Sequence, residues 1–178
     1  MNSGRIPSRQ TGVSLFELMI ALAVIGLLAG VAVPTYRSFI ETANMTKVSS
    51  NFDQAIRVAR NTFQMNETRL AIGLTPATPD TTEDWIALLN ANGALSPGGD
   101  PAYVDSSNNR NSGRGDAETG AIGIRWTPAA PAKYRRNGDL RKDAVTAKLE
   151  IWRPRYLSLT EQRATITDDG VDIKDQRQ

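Results

Sequence analysis

The residue in this 178-residue chain whose placement most demands a chemical explanation is a single acid in an apolar run. Glu17 is the one charge between Val13 and Tyr36, and Leu18 to Pro34 is uninterrupted apolar sequence. An ionised carboxylate in hydrocarbon is costly, so such an acid needs a cationic partner or must stay protonated. Elsewhere the chemistry is thin. There is no cysteine and no histidine, which removes Cys/His zinc sites, Ser-His-Asp triads, thiol nucleophiles and disulfides. Asp168-Asp169 is a paired acid at a turn, and no phosphate-cradling loop or nucleophile motif is present. The chain reads as no enzyme, and no cofactor is expected. A metal would have to be a hard cation on oxygen ligands. Asp100, Asp105, Asn108, Asn109, Asp116 and Glu118 could offer such ligands to calcium, but without EF-hand spacing. Solvated loop acids are the favoured reading.

The element that must carry Glu17 is a helix. Val13 to Tyr36 is 24 residues, and at 1.5 Å per residue it spans roughly 36 Å, against about 30 Å for a bilayer core. Arg5 and Arg9 precede it and account for the whole net charge of +2, so the N-terminus is expected on the cytoplasmic side. A secretory signal cut after Gly30-Val31-Ala32, or a plain anchor, fits the apolar run but leaves Glu17 without a reason. Gly26 and Gly30 form a G-x-x-x-G pair that would let helices approach closely. Pro34 lacks the N–H that would reach the Gly30 carbonyl, which predicts a kink or local unwinding.

The stretch Gly12-Val13-Ser14-Leu15-Phe16-Glu17 followed by LMIALAVIGLLAGVAVPTY resembles the N-terminus of type IV prepilins and of type II secretion pseudopilins. The resemblance covers about residues 5 to 40. It implies a basic leader, residues 1–12, cut between Gly12 and Val13, with methylation of the new N-terminal residue Val13. It places Glu17 at the fifth position of the mature chain, where the family has a glutamate. Val13 stands where phenylalanine is most common, and Phe16 where isoleucine is common, which leaves the subfamily open. Cleavage would also free an amine at Val13. In a filament the Glu17 carboxylate could pair with the Val13 amine of a neighbouring subunit and so set axial register. The resemblance further implies that Gly26, Gly30 and Pro34 bracket a stretch able to loosen on packing.

Beyond Pro34 the pattern turns amphipathic. Tyr36, Phe39, Ile40, Ala43, Val48, Phe52, Ala55, Ile56, Ala59 and Phe63 recur at spacings of three and four. One helix over 13–66 is expected, with 13–36 as transmembrane and filament core and 67–178 as a globular head. In the head, Thr81 or Thr82 starts a short helix that Gly93 ends, with Trp85, Leu88 and Leu89 on its apolar face. Residues 75–120 form a loop region, dense in Gly, Pro, Ser, Asn and Asp from Ser96 onward. Residues 121–175 carry three or four antiparallel strands, with turns at Asn137-Gly138 and Asp169-Gly170. The expected fold is α+β: a long helix laid on a small antiparallel sheet.

The head sorts its charge, acidic from Asp80 to Glu118 and basic from Lys133 to Arg155. Ordinary solvated faces explain this, as does complementarity between subunits. Lys133, Arg135, Arg136, Arg141, Lys142, Arg153 and Arg155, with Tyr134 and Trp152, would be the residues to grip DNA, but nucleic acid is the less favoured partner of a chain otherwise neutral. The expected function is a structural subunit of a type IV pilus-like homo-oligomeric filament. Its precursor would sit in the inner membrane and meet a prepilin peptidase/methyltransferase and an assembly platform. Its product would be an extracellular or periplasmic filament. The alternatives are a minor pilin, a type II secretion pseudopilin, or a filament-tip receptor for DNA or another ligand.

Overall fold

The computed structural model describes residues 12–106, 114–134 and 140–175. The chain divides into two compact units, Met1–Glu41 and Thr42–Gln178, and helix α1 (Leu15–Ala71) contributes to both. The helix starts two residues after Val13, because Leu18 N–H donating to Ser14 O (3.1 Å) marks its beginning. It also ends later than the expected Asn66. Glu67, Arg69, Leu70 and Ala71 are all good helix formers, and the first strong stop is Gly73 at φ 78°. There Leu74 N–H donates to Arg69 O (2.9 Å) and Gly73 N–H to Leu70 O (3.0 Å). That is the two-bond Schellman closure, which needs a left-handed residue that glycine supplies without strain.

In the first unit every described residue, from Gly12 to Glu41, is exposed. The helix runs through Pro34 without a break. Proline removes one bond from this turn, and Thr35 Oγ1 adds a bond to Val31 O (3.0 Å) on the same stretch.

In the second unit α1 buries Val48, Asn51, Phe52, Ala55, Ile56, Ala59 and Phe63. Their spacing of three and four puts them on one stripe facing the sheet. Tyr36, Phe39 and Ile40, read from the sequence as part of that stripe, stay exposed.

The sheet has five strands in the order β1-β2-β5-β6-β7. They are β1 (Tyr103–Asp105), β2 (Ile122–Thr127), β5 (Lys148–Arg153), β6 (Gln162–Thr167) and β7 (Gly170–Asp175). β2, β5, β6 and β7 pair antiparallel, and Ile124, Ile151, Ala164 and Ile173 fall in one cross-strand row. Strand alternation turns Ile122, Ile124, Leu149, Ile151, Ala164 and Ile166 toward the core, while Arg125, Glu150, Thr165 and Asp172 line the other face.

Two corrections concern strands. β1 lies inside the stretch read as loop, and it pairs parallel to β2. It is held there from outside the sheet. Asn90 Nδ2 donates to Tyr103 O (2.9 Å), Tyr103 N–H donates to Asn90 Oδ1 (3.3 Å), and Tyr103 Oη donates to Asn51 O (2.9 Å). Burial pushes the Tyr103 hydroxyl up to about 12. A separate ribbon, β3 (Lys133–Tyr134) with β4 (Leu140–Lys142), sits between β2 and β5 in sequence. The Asn137-Gly138 turn lies outside the described residues.

The short helix is α2 (Thr82–Asn90), capped by Thr81, whose hydroxyl accepts from Asp84 N–H (3.1 Å). Gly93 closes it at φ 67°, as expected. Trp85 and Leu89 are buried, but Leu88 is exposed, so the apolar face is narrower than read. Phe63, Trp85 and Trp126 form a triangle of rings with centroids 5.8 to 6.1 Å apart. The β6–β7 turn is Asp168-Asp169, one residue earlier than expected. Neither aspartate has a positive φ; Gly170 takes the unusual conformation instead.

Candidate assembly segment

The bond between Gly12 and Val13 stands ahead of the first helical hydrogen bond, and Val13 is 73% exposed. The bond thus lies outside α1, which begins at Leu15. The leader residues before Gly12, Arg5 and Arg9 included, lie outside the described residues.

Glu17 sits in the first turn of α1. The helix dipole presents about half a positive charge there, which favours a carboxylate. Ser14-Leu15-Phe16-Glu17 has the S-x-x-E spacing of a capping box, a pattern the sequence reading passed over. No hydrogen bond joins the two side chains, and among the described residues no cation reaches Glu17. Around it Leu15, Phe16, Leu18, Met19, Leu22 and Leu27 are each at least half exposed.

Gly26 and Gly30 have no atom within 4 Å of where a Cβ would stand. The flank of α1 is open there, as close approach by another helix requires. Further along, Leu28, Val31, Ala32, Thr35, Tyr36 and Phe39 line a shallow apolar recess on the same helix. α1 is long and apolar enough to cross a bilayer.

The other candidate residues do not come together. Trp152 is only 6% exposed, with the guanidinium carbons of Arg163 and Arg114 4.9 and 5.2 Å from its ring centroid. It cannot stack on a nucleic-acid base. Arg153 donates to Thr160 O (3.1 Å) and stands over the Phe52 ring, and desolvation lowers its pKa. The side chains of Tyr134, Arg135, Arg136, Arg141 and Lys142 lie outside the described residues, while Lys133 and Arg155 are exposed. Among the loop acids, the Asp116 carboxylate accepts from Glu118 N–H (2.8 Å) and Thr119 Oγ1 (3.0 Å), a local turn. Among the described residues no three acids converge on one point. Asn108 and Asn109 lie outside them.

Residues 7–33 match the family model described as the prokaryotic N-terminal methylation motif. The type IV major fimbrial protein FimA of Dichelobacter nodosus is 43% identical over 47 residues, 26% of this chain and 30% of that protein. The type IV major alpha-pilin of Moraxella bovis is 48% identical over 40 residues, 22% of this chain and 25% of that one. A fimbrial protein of Moraxella nonliquefaciens is 31% identical over 80 residues, 45% of this chain and 48% of that one. The chain thus matches between a quarter and a half of the length of these curated relatives. No solved structure matches the chain. Gly12, Val13 and Glu17 lie inside the matched segment, so the N-terminal part of this chain carries that methylation motif and is similar to the same part of these type IV fimbrial proteins.

Proposed function

We propose that this chain is a structural subunit of a type IV pilus-like filament. The observation that carries the reading is the exposed apolar helix from Leu15 to Ile40 with one acid, Glu17, and no partner for either among the described residues. Lipid covers that surface in the inner-membrane precursor; neighbouring subunits cover it after assembly. A peptidase removes residues 1–12, the freed Val13 amine is methylated, and an assembly platform draws the helix out of the bilayer. In the membrane the Glu17 carboxylate is costly, by about 2.5 to 3.5 kcal/mol at a bilayer centre and less near its edge. Pairing with the Val13 amine of another copy removes part of that cost, so the charge favours filament over stored monomer. The chain performs no catalysis in this role.

Electron microscopy of sheared surface material, with mass spectrometry of its subunits, tests the reading. Filaments built mainly of this chain, starting at methylated Val13, support it. Its presence only in trace amounts in filaments of another protein would reassign it as a minor pilin or pseudopilin. A Gly12→Phe variant should keep the leader and stay in the membrane. A mature chain starting at Val33 would instead show a secretory signal.

A further inference from the structure

The face of the sheet turned away from α1 carries a row formed by Gly123, Trp152, Arg163 and Lys174, neighbours in register across β2, β5, β6 and β7. A tryptophan on such a face would ordinarily meet water, yet Trp152 is 6% exposed. The row itself supplies part of its cover. Arg163 stands beside it on β6, with its guanidinium carbon 4.9 Å from the ring centroid. On the β2 side the neighbour is Gly123, which has no side chain to offer.

The rest of the cover comes from the loop ahead of β2. A Cβ built on Gly123 would collide with Gly115 N and stand 2.9 Å from Arg114 C. Residues 114–115 are thus laid in the slot that a side chain at 123 would fill. The fit is mutual, since a Cβ on Gly115 would stand 2.6 Å from Ala121 O and 2.8 Å from Gly123 N. From this slot the Arg114 guanidinium carbon lies 5.2 Å from the Trp152 ring centroid, and its Nη1 donates to Glu161 Oε1 (3.0 Å). Gly115, at φ 88°, makes the change of direction that glycine tolerates best. Beyond it the chain is held by its own turn, with Asp116 N–H donating to Ala121 O and Gly120 N–H to Asp116 O, both 2.9 Å. The strap hangs from a fixed turn, and Arg114 is the side chain that fastens it.

The fastening is weak by its own chemistry. The Arg114–Glu161 pair is 43% and 22% exposed, and ion pairs so open to water hold little and are screened by salt. A second cation, Arg163, shares the same ring. Two donors of the row, Trp152 Nε1 and Arg163 Nε, are buried without a partner among the described residues. Buried donors left unsatisfied favour a state in which water reaches them.

We propose that residues 114–115 are a strap poised to open: Arg114 holds it shut over Trp152, and opening uncovers the indole beside the Arg163 guanidinium. Open, the row offers an aromatic ring flanked by a cation; closed, it offers neither. The inference is independent of the filament reading.

The test follows the indole N–H groups of the three tryptophans separately. Their hydrogen exchange is measured by nitrogen-15 spectroscopy on the full chain in detergent micelles, with Trp152 assigned through Trp152→Phe. Arg114→Ala should speed exchange at Trp152 by about tenfold or more and leave Trp85 and Trp126 as they were. Sodium chloride at about 1 M, where charges are screened within about 3 Å, should speed it in the unaltered chain. Gly123→Ala fills the slot while keeping every charge, and should free Trp152 as well; the Arg114 variant and the salt series decide the matter if that chain does not fold. Unchanged exchange at Trp152 in Arg114→Ala overturns the proposal. Equal acceleration at all three indoles also overturns it, because the head would then be loosening as a whole. Glu161→Gln separates fastening from packing: faster exchange at Trp152 supports the strap, and unaltered exchange leaves Arg114 as inert cover and refutes it.

Discussion

Helix α1 is one piece of secondary structure with two chemistries. From Leu15 to Ile40 its large side chains lie 44 to 78% exposed, and no other described residue of that unit covers them. From Val48 to Phe63 the same helix buries Val48, Phe52, Ala55, Ile56, Ala59 and Phe63 to 7% exposure or less under a sheet. The second region contains its own reason to fold. The first shows no such core among its described residues. Bare apolar surface on this scale is untenable in water, so the N-terminal segment is defined by its surroundings and the head by its own core.

The comparison breaks most visibly at Glu17. Glu17→Leu should insert at least as well and still be cut after Gly12, yet filament yield should fall by about tenfold or more, the scale of about 1.4 kcal/mol. Val13 methylation should be measured separately, since its loss would lower yield by another route. Normal yield from this variant would remove the charge-pair mechanism. The next effect belongs to the head. A chain lacking residues 1–40 should be a soluble monomer with cooperative unfolding, and Phe52→Ala should cost it about 3 to 5 kcal/mol. Phe39→Ala in the full chain should leave the head's midpoint where it was, because Phe39 is 68% exposed. Equal losses from the two phenylalanines would erase the distinction.

A smaller effect follows from Tyr103. Its hydroxyl titrates near 12 in the folded head, above the ordinary 10, so the folded state holds its proton more tightly than the unfolded one. The stabilisation is complete below pH 10 and disappears as pH rises toward 12. Urea midpoints of the head should fall across that window, and Tyr103→Phe should flatten the fall. The smallest effect is at Leu157, which has φ 50°. Leu157→Gly relieves about 1 to 2 kcal/mol of left-handed strain but adds about 0.5 to 1 in backbone entropy, so the head should gain about half a kcal/mol. A clear loss would mean that the leucine packs on its own head.

The apolar segment and its acid were legible because they are written in consecutive residues. Glu17 alone among apolar neighbours needs no tertiary information. The Thr81 cap, the Gly93 stop and the alternation in β2, β5 and β6 were equally local. What escaped notice depends on distant partners. Tyr103-Val104-Asp105 is three residues among glycines, prolines and aspartates, and becomes a strand because Asn90 and Asn51 hold it beside β2. Tyr36, Phe39 and Ile40 share the periodicity of Phe52, and only the extent of the sheet decides that they stay outside. Trp152 looked like a stacking platform until Arg114 and Arg163 were found beside its ring. Periodicity says which face is apolar; it does not say what covers it.

The ribbon β3–β4 leaves the sheet through a narrow neck. Ala130 N–H donates to Val145 O and Val145 N–H to Ala130 O, both 2.8 Å, while β2 and β5 pair directly below. The excursion thus begins and ends at one point of a ladder that is already closed without it. A change of length between those two residues should therefore leave the β2–β5 register unaltered. That neck separates a surface excursion from the ladder that the fold requires.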